Sequence, residues 1–87
     1  MKIRIKKLSE LPNALYPNNI EVDYENEYDV VDGMFRKPRV GEAFLLADTY
    51  RYFRTSIVEE IINENTFRTM NSIYRWEKLW NQLKNLS

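Results

Sequence analysis

The side chains that most often carry catalysis in small enzymes are absent from this chain. Its 87 residues include no cysteine and no histidine. Thiol nucleophiles, Ser-His-Asp triads, histidine general bases and zinc sites built from nitrogen and sulfur are therefore excluded. Carboxylate acid–base chemistry or a carboxylate-held magnesium ion would need a concave pocket, which one small core seldom provides. The sequence predicts a protein that is not an enzyme and that needs no cofactor.

Carboxylates are concentrated between Glu21 and Asp29, in the sequence EVDYENEYD. Hard cations such as calcium are held by several oxygen ligands from one loop. An EF-hand loop counted from Asp23 needs glycine at its sixth position and glutamate at its twelfth. Those positions are Tyr28 and Met34. We therefore predict no metal site here and interpret the segment as an acidic surface.

Acidic and aromatic side chains alternate in this segment, and two further tyrosines follow at positions 50 and 52. Tyrosine is enriched at the hot spots of protein interfaces. Clustered carboxylates can also mimic the charge of a nucleic acid. We predict a partner-binding surface formed by Asp23, Tyr24, Glu25, Glu27, Tyr28, Asp29, Tyr50 and Tyr52.

A second set of residues combines aromatic rings with arginines. Single-stranded nucleic acids bind where rings stack on bases and cations contact phosphates. The structural alternative is that the rings belong to the core and the arginines cover their rims. Both interpretations are open for Arg51, Tyr52, Arg54, Tyr74, Arg75 and Trp76.

The charges of the chain balance overall but are unevenly distributed. Thirteen basic and thirteen acidic residues give no net charge, which argues against affinity dominated by a phosphate backbone. The chain opens with Lys2, Arg4, Lys6 and Lys7, and the stretch from Glu10 to Asp32 carries seven acids and no base. Such blocks often neutralise each other in a folded protein.

The length of the chain predicts one domain, over residues 1–87, with one core. Twelve aromatic residues can fill that core, whereas disulfides and thiolate metal sites are excluded. Either the aromatic core is sufficient or the protein forms homo-oligomers. The basic start is not followed by an apolar run, so we predict a cytoplasmic protein without a membrane segment.

Alternation of apolar and polar residues, which is typical of strands, recurs along the chain. Ile3 and Ile5 predict an edge strand with a basic outer face. The apolar run Phe44-Leu45-Leu46 predicts a buried strand. That strand covers residues 43–48, and further strands are predicted over 66–70 and 73–79, with a break at Asn71-Ser72. Residues 21–29 form either a polar strand or an acidic loop.

Residues 57–62 fit two structures. Ser56 and Glu59 match a helix capping box, and the apolar residues of the segment repeat as one face of a helix would. We favour a strand, because four of these six residues are β-branched. The following Asn63-Glu64-Asn65 also suits a hairpin connection to a further strand.

These elements predict a mainly β fold, either a small antiparallel sheet or a barrel of the SH3 or OB type. The leucines at positions 79, 83 and 86 have helical spacing and predict a short C-terminal helix. Pro12 and Pro17 predict a loop over residues 11–20. Gly41 marks a bend or a close approach of the backbone.

A sequence pattern spans residues 40–74. Residues 40–44 read VGEAF, residues 55–61 read TSIVEEI and residues 67–74 read FRTMNSIY. This pattern resembles short uncharacterised proteins of bacteriophages and mobile elements. The resemblance implies an all-β hairpin core and a phage or mobile-element setting, and it supplies no catalytic residue.

We therefore predict a non-enzymatic protein-interaction module that acts through its acidic and aromatic surface. In the setting that the resemblance implies, it is an inhibitor of the anti-defence type that covers a host protein. One alternative is a small β-barrel that binds single-stranded nucleic acid. The other is a homo-oligomeric structural protein.

Overall fold

Six strands account for most of the residues that the structure describes. The computed structural model describes residues 1–11, 21–31 and 33–79, and no helix occurs within them. The mainly β prediction is therefore confirmed. The strands are β1 (Lys2–Glu10), β2 (Glu25–Asp29), β3 (Ala43–Ala47), β4 (Tyr52–Asn63), β5 (Thr66–Thr69) and β6 (Ser72–Leu79).

The strands form one antiparallel sheet in the order β2-β1-β6-β5-β4-β3. The sheet curls into a half-barrel, in which the ring of Tyr24, directly before β2, stacks on Phe53 of β4 at 5.9 Å. β1 lies between β2 and β6. The prediction of an edge strand at Ile3 and Ile5 is therefore wrong: Arg4 lies between carboxylates of β2 and β6, and Lys7 is completely buried.

Strand alternation places the core on the concave side of the sheet. Ile3 and Ile5 of β1, Phe67 of β5 and Tyr74 of β6 are completely buried there. The ring of Phe67 lies 5.0 Å from that of Phe44 and 5.6 Å from that of Tyr74. Large rings from β3, β5 and β6 thus meet in one cluster.

The connection from β2 to β3 covers this cluster. It runs between the two edge strands of the sheet, and it carries Phe35 onto the ring of Trp76 at 5.2 Å and onto the ring of Phe44 at 6.3 Å. At its end, Gly41 donates to the carbonyl of Val58 with a φ of +92°, a conformation that favours glycine. The predicted bend at Gly41 is therefore present.

β4 resolves the ambiguity at residues 57–62 in favour of a strand. It pairs with β5 through two irregular positions of register. The hairpin connection that follows is held by Asn65, whose side chain donates to the carbonyl of Trp76 at 3.0 Å and whose amide bonds to the side chain of Asn63 at 2.9 Å. The predicted hairpin connection is therefore present, and its two asparagines supply its hydrogen bonds.

The break between β5 and β6 is confirmed and depends on one hydroxyl. Thr69 Oγ1 accepts hydrogen bonds from the amides of Asn71 at 3.2 Å and Ser72 at 3.1 Å. The same hydroxyl lies 3.3 Å from the carbonyl oxygen of Ser72. All three residues are buried. Thr69 therefore satisfies two main-chain donors at a reversal of the chain that excludes water.

Three expectations differ from the structure or concern residues outside its described part. Leu45 was expected in the core with its neighbours, but 53% of it is exposed, because its side chain points to the face opposite Phe44 and Leu46. The predicted C-terminal helix begins at Leu79, which is the last residue of β6, and its other residues lie outside the described part. Most of the loop expected over residues 11–20 also lies outside it.

Candidate functional site

The acids of β2 have cationic neighbours within the chain. Arg4 of β1 lies 3.0 Å from Glu27 and 4.0 Å from Glu25, and on its other side 3.0 Å from Glu77 of β6. Asp29 lies 3.3 Å from the amino group of Met1. The hydrogen bond to Glu27 raises the pKa of the Arg4 guanidinium. The basic and acidic blocks of the sequence thus meet across β1 and β2.

The two tyrosines of the acidic segment lie against the core. Tyr28 is buried, and its ring lies 6.2 Å from that of Phe53. Tyr24 is half-buried, and its hydroxyl lies 2.8 Å from that of Tyr28. Asp23 occupies the turn before β2, with a φ of 72°. Of the predicted partner-binding residues, only Tyr50 and Tyr52 present most of an aromatic side chain to solvent.

Arg51 joins the two edges of the curled sheet. Its guanidinium donates to the carbonyl of Glu27 at 2.7 Å and to Asp48 at 3.0 Å, and it lies 4.7 Å from the centre of the Tyr28 ring. Asp48 also accepts hydrogen bonds from the amides of Tyr50 and Arg51, which lower the pKa of its carboxyl. Arg51 is therefore engaged in closing the fold and is a poor candidate for a phosphate contact.

The environment of Tyr28 predicts a loss of stability in alkali. Burial, and then the hydrogen bond with Tyr24, raise the pKa of Tyr28 from 10.0 to about 12. The unfolded chain ionises this residue near pH 10.0, whereas the folded chain does so only near the raised value. The stability linked to Tyr28 is therefore fully present below pH 10.0, and it is lost as the pH rises from there toward about 12.

Urea unfolding across this pH range measures the effect. In Tyr28→Phe, which cannot ionise, we expect a shallower alkaline decline in stability than in the wild type. Tyr50→Phe is the matched control, because Tyr50 is 93% exposed, and it should decline as the wild type does. Parallel declines in the wild type and Tyr28→Phe would contradict the assignment.

The residues of the nucleic-acid alternative are not brought together on one surface. Tyr74 and Trp76 are buried in the core, so their rings are not available for stacking on bases. β5 separates β6 from β4, which places Arg75 away from Tyr52 and Arg54. Tyr52 and Arg54 are exposed on one face of β4, and the exposed Arg51 beside them is bonded to Asp48 and to the carbonyl of Glu27.

The largest exposed apolar side chains of the sheet lie on its convex side, over β3 and β4. The register places Leu45 beside Arg54, Ala47 beside Tyr52 and Ala43 beside Ile57. We call these six residues the β3–β4 outer face. Tyr52 is 72% exposed, and the face adjoins a shallow cavity of about 510 Å³ that is also lined by Ser56 and Met70.

Arg54 is the cation of the β3–β4 outer face. Within the described residues, no carboxylate lies within ion-pair distance of it, in contrast to Arg4, Arg51 and Arg68. Sequence reasoning identified Arg54 and Tyr52 but missed Leu45 and Ile57. The signal for Leu45 was present, since an apolar residue between two core residues of a strand must point outward.

Comparison with known proteins gives no match to a family model, to a curated protein or to a solved structure. Within residues 1–11, 21–31 and 33–79, no three acidic side chains are grouped so that they could hold a metal ion. Nor does that part of the chain contain a helix long and apolar enough to cross a membrane.

Proposed function

We propose that this chain is a non-enzymatic protein-interaction module that binds another protein through the β3–β4 outer face. The observation that supports it is the continuity of exposed apolar side chains, Leu45, Tyr52 and Ile57, around Arg54, which forms no ion pair with a described carboxylate. A large exposed apolar patch rimmed by polar residues marks interaction sites on soluble proteins. Tyrosine and arginine are the side chains enriched at interface hot spots.

The sheet presents this surface in a fixed conformation. β4 is hydrogen-bonded to β3 on one side and to β5 on the other, so the side chains of the face are held by paired backbone. Binding to a preorganised surface costs less ordering entropy than binding to a loop. In the phage or mobile-element setting that the sequence resemblance implies, the partner is a host protein, and the module inhibits it by covering its surface.

Tyr52→Ala tests the proposal. Because Tyr52 is exposed, we expect the free energy of unfolding to change little, whereas affinity for the partner falls by about 2 kcal/mol, which is about thirtyfold in Kd. The measurement is capture from a host lysate on immobilised wild-type chain, followed by titration of the captured protein. Arg75→Ala, on the convex side of β6, is the control and should bind as the wild type does.

Two results would count against this surface. One is a partner that binds Tyr52→Ala and the wild type equally. The other is a chain that captures no protein and sediments as a monomer. A wild-type dimer that dissociates in Tyr52→Ala would keep the surface but identify the partner as a second copy of the chain.

A further inference from the structure

Among the described residues, β3 has a backbone partner on only one of its two sides. It is the last strand in the order of the sheet and pairs only with β4. The amides of Phe44 and Asp48 point toward β4, where they donate to Thr55 Oγ1 and to the carbonyl of Arg51. Because successive amides of a strand point to opposite sides, those of Ala43, Leu45 and Ala47 point away from β4. No described residue forms a backbone hydrogen bond with them there.

A cavity lies along this unpaired side of β3. It has a volume of about 300 Å³ and is lined by Ala43 and Leu45, by Glu42 and by residues of the preceding loop, including Met34. None of its lining residues belongs to β4. The cavity therefore occupies the position where another strand would pair with β3, between β3 and the loop.

The loop side of the cavity is cationic. Arg36, Lys37 and Arg39 line it, and the acid beside them is Glu42, which Arg39 approaches at 3.8 Å. Arg36 and Lys37 are exposed, and no described carboxylate lies within ion-pair distance of either. The chain has no net charge, yet this site has an excess of positive charge that favours an acidic ligand.

The opposite edge strand, β2, differs from β3 in the charge of its side chains and in the exposure of its backbone. β2 carries the acids Glu25, Glu27 and Asp29, and Arg51 donates to the carbonyl of Glu27. Charged side chains and a covered backbone are what prevent edge strands from pairing with other chains. β3 contains no charged residue and no proline. Of the two edges, β3 is the one able to accept a strand.

From these observations we propose that the unpaired side of β3 binds an extended, acidic segment of a protein partner as a seventh strand of the sheet. The inference rests on the proposed function and adds the chemistry of the partner. The backbone of the segment pairs with Ala43, Leu45 and Ala47, as in other cases of strand addition. Its carboxylates lie against Arg36 and Lys37, and its apolar side chains extend the β3–β4 outer face.

A peptide satisfies this site better than a nucleic acid does. The unpaired amides and carbonyls of a strand edge match the alternating donors and acceptors of another extended chain. Single-stranded nucleic acid would need exposed rings for stacking, whereas Met34 and Leu45 line the cavity and the ring of Phe44 is buried.

The test uses a fluorescent peptide that alternates glutamate and valine, with a lysine–valine peptide for comparison, titrated by anisotropy. We expect the acidic peptide to bind at least about tenfold more tightly than the basic one. The double variant Arg36→Glu/Lys37→Glu should weaken its binding by about tenfold or more. Arg75→Glu adds an acid to an exposed position on the convex side of β6 and should leave the binding unchanged.

Amide exchange followed by NMR tests the geometry separately. The amides of Ala43, Leu45 and Ala47 should exchange rapidly in the free chain and slowly when the acidic peptide is bound. Equal binding of the two peptides would overturn the proposal. So would an oligonucleotide that alone binds at the edge, or protection of these amides before any peptide is added, which would show that the edge is already paired.

These outcomes are distinct from those that test the β3–β4 outer face. If Tyr52→Ala weakens capture of the partner while the acidic peptide fails to bind, strand addition is wrong and the interaction surface stands. If the peptide binds but Tyr52→Ala captures the partner as the wild type does, the outer face is wrong and the edge stands.

Discussion

Replacing Phe67 with alanine is expected to lower the free energy of unfolding by about 3–5 kcal/mol. Phe67 is completely buried, and its ring touches those of Phe44 and Tyr74, so the substitution opens a cavity between strands of the core. A chain of this length is stabilised by about 4–13 kcal/mol in total. The loss is therefore large enough to leave a substantial fraction of the variant unfolded.

Urea denaturation followed by tryptophan fluorescence measures this loss. Phe67→Leu is the control, because it keeps most of the buried volume and should lose clearly less stability than the alanine variant. Ile62→Ala, at an exposed position of the same hairpin, should change the unfolding free energy little. Equal losses in Phe67→Ala and Ile62→Ala would show that this ring cluster is not the core.

The second large effect is expected from Thr69→Val. Valine has nearly the shape of threonine but lacks the hydroxyl that accepts hydrogen bonds from the amides of Asn71 and Ser72. Each buried amide left without an acceptor costs about 1–3 kcal/mol. We expect the variant to lose about 2–4 kcal/mol of stability and the reversal between β5 and β6 to become locally mobile.

Thr69→Ser separates the hydroxyl from the methyl group. Serine keeps the acceptor and loses only one methyl group, so it should cost less than the valine variant. Amide exchange at Asn71 and Ser72 should accelerate in Thr69→Val and stay slow in Thr69→Ser. If the serine variant were the less stable of the two, the methyl group rather than the hydroxyl would hold the turn.

Local residue patterns were sufficient to predict most of the strands. Alternation predicted the strands of the second half of the chain, and the β-branched content of residues 57–62 outweighed a helical pattern that the structure does not show. The break at Asn71-Ser72 was predictable for the same reason, since its hydrogen bonds are made within a few residues. Each of these features is determined by residues that are close together in the sequence.

The order of the strands depends on contacts between distant residues, and the sequence does not display them. β1 pairs with β6 from the other end of the chain, and Arg4 meets both Glu27 and Glu77. When its neighbouring strands are unknown, a segment that alternates basic and apolar residues is typical of an edge strand. The blocks of opposite charge were visible, but which residues pair across them was not.

Candidate binding residues were harder to predict than strands, because a ring's position in the sequence does not reveal which face it occupies. Tyr28 and Trp76 combine with charged neighbours in the sequence as interface residues do, yet both are buried. Tyr52 is exposed, and its role in binding stays a prediction. The cavity beside β3 depends on the path of the preceding loop, which no local pattern specifies.

The contact of Arg51 with the carbonyl of Glu27 has a consequence for the shape of the half-barrel. The two rims are joined there by a flexible side chain and not by a continuous ladder of main-chain bonds. Loss of this contact would therefore open the half-barrel at this point without breaking any of the strand pairs of the sheet.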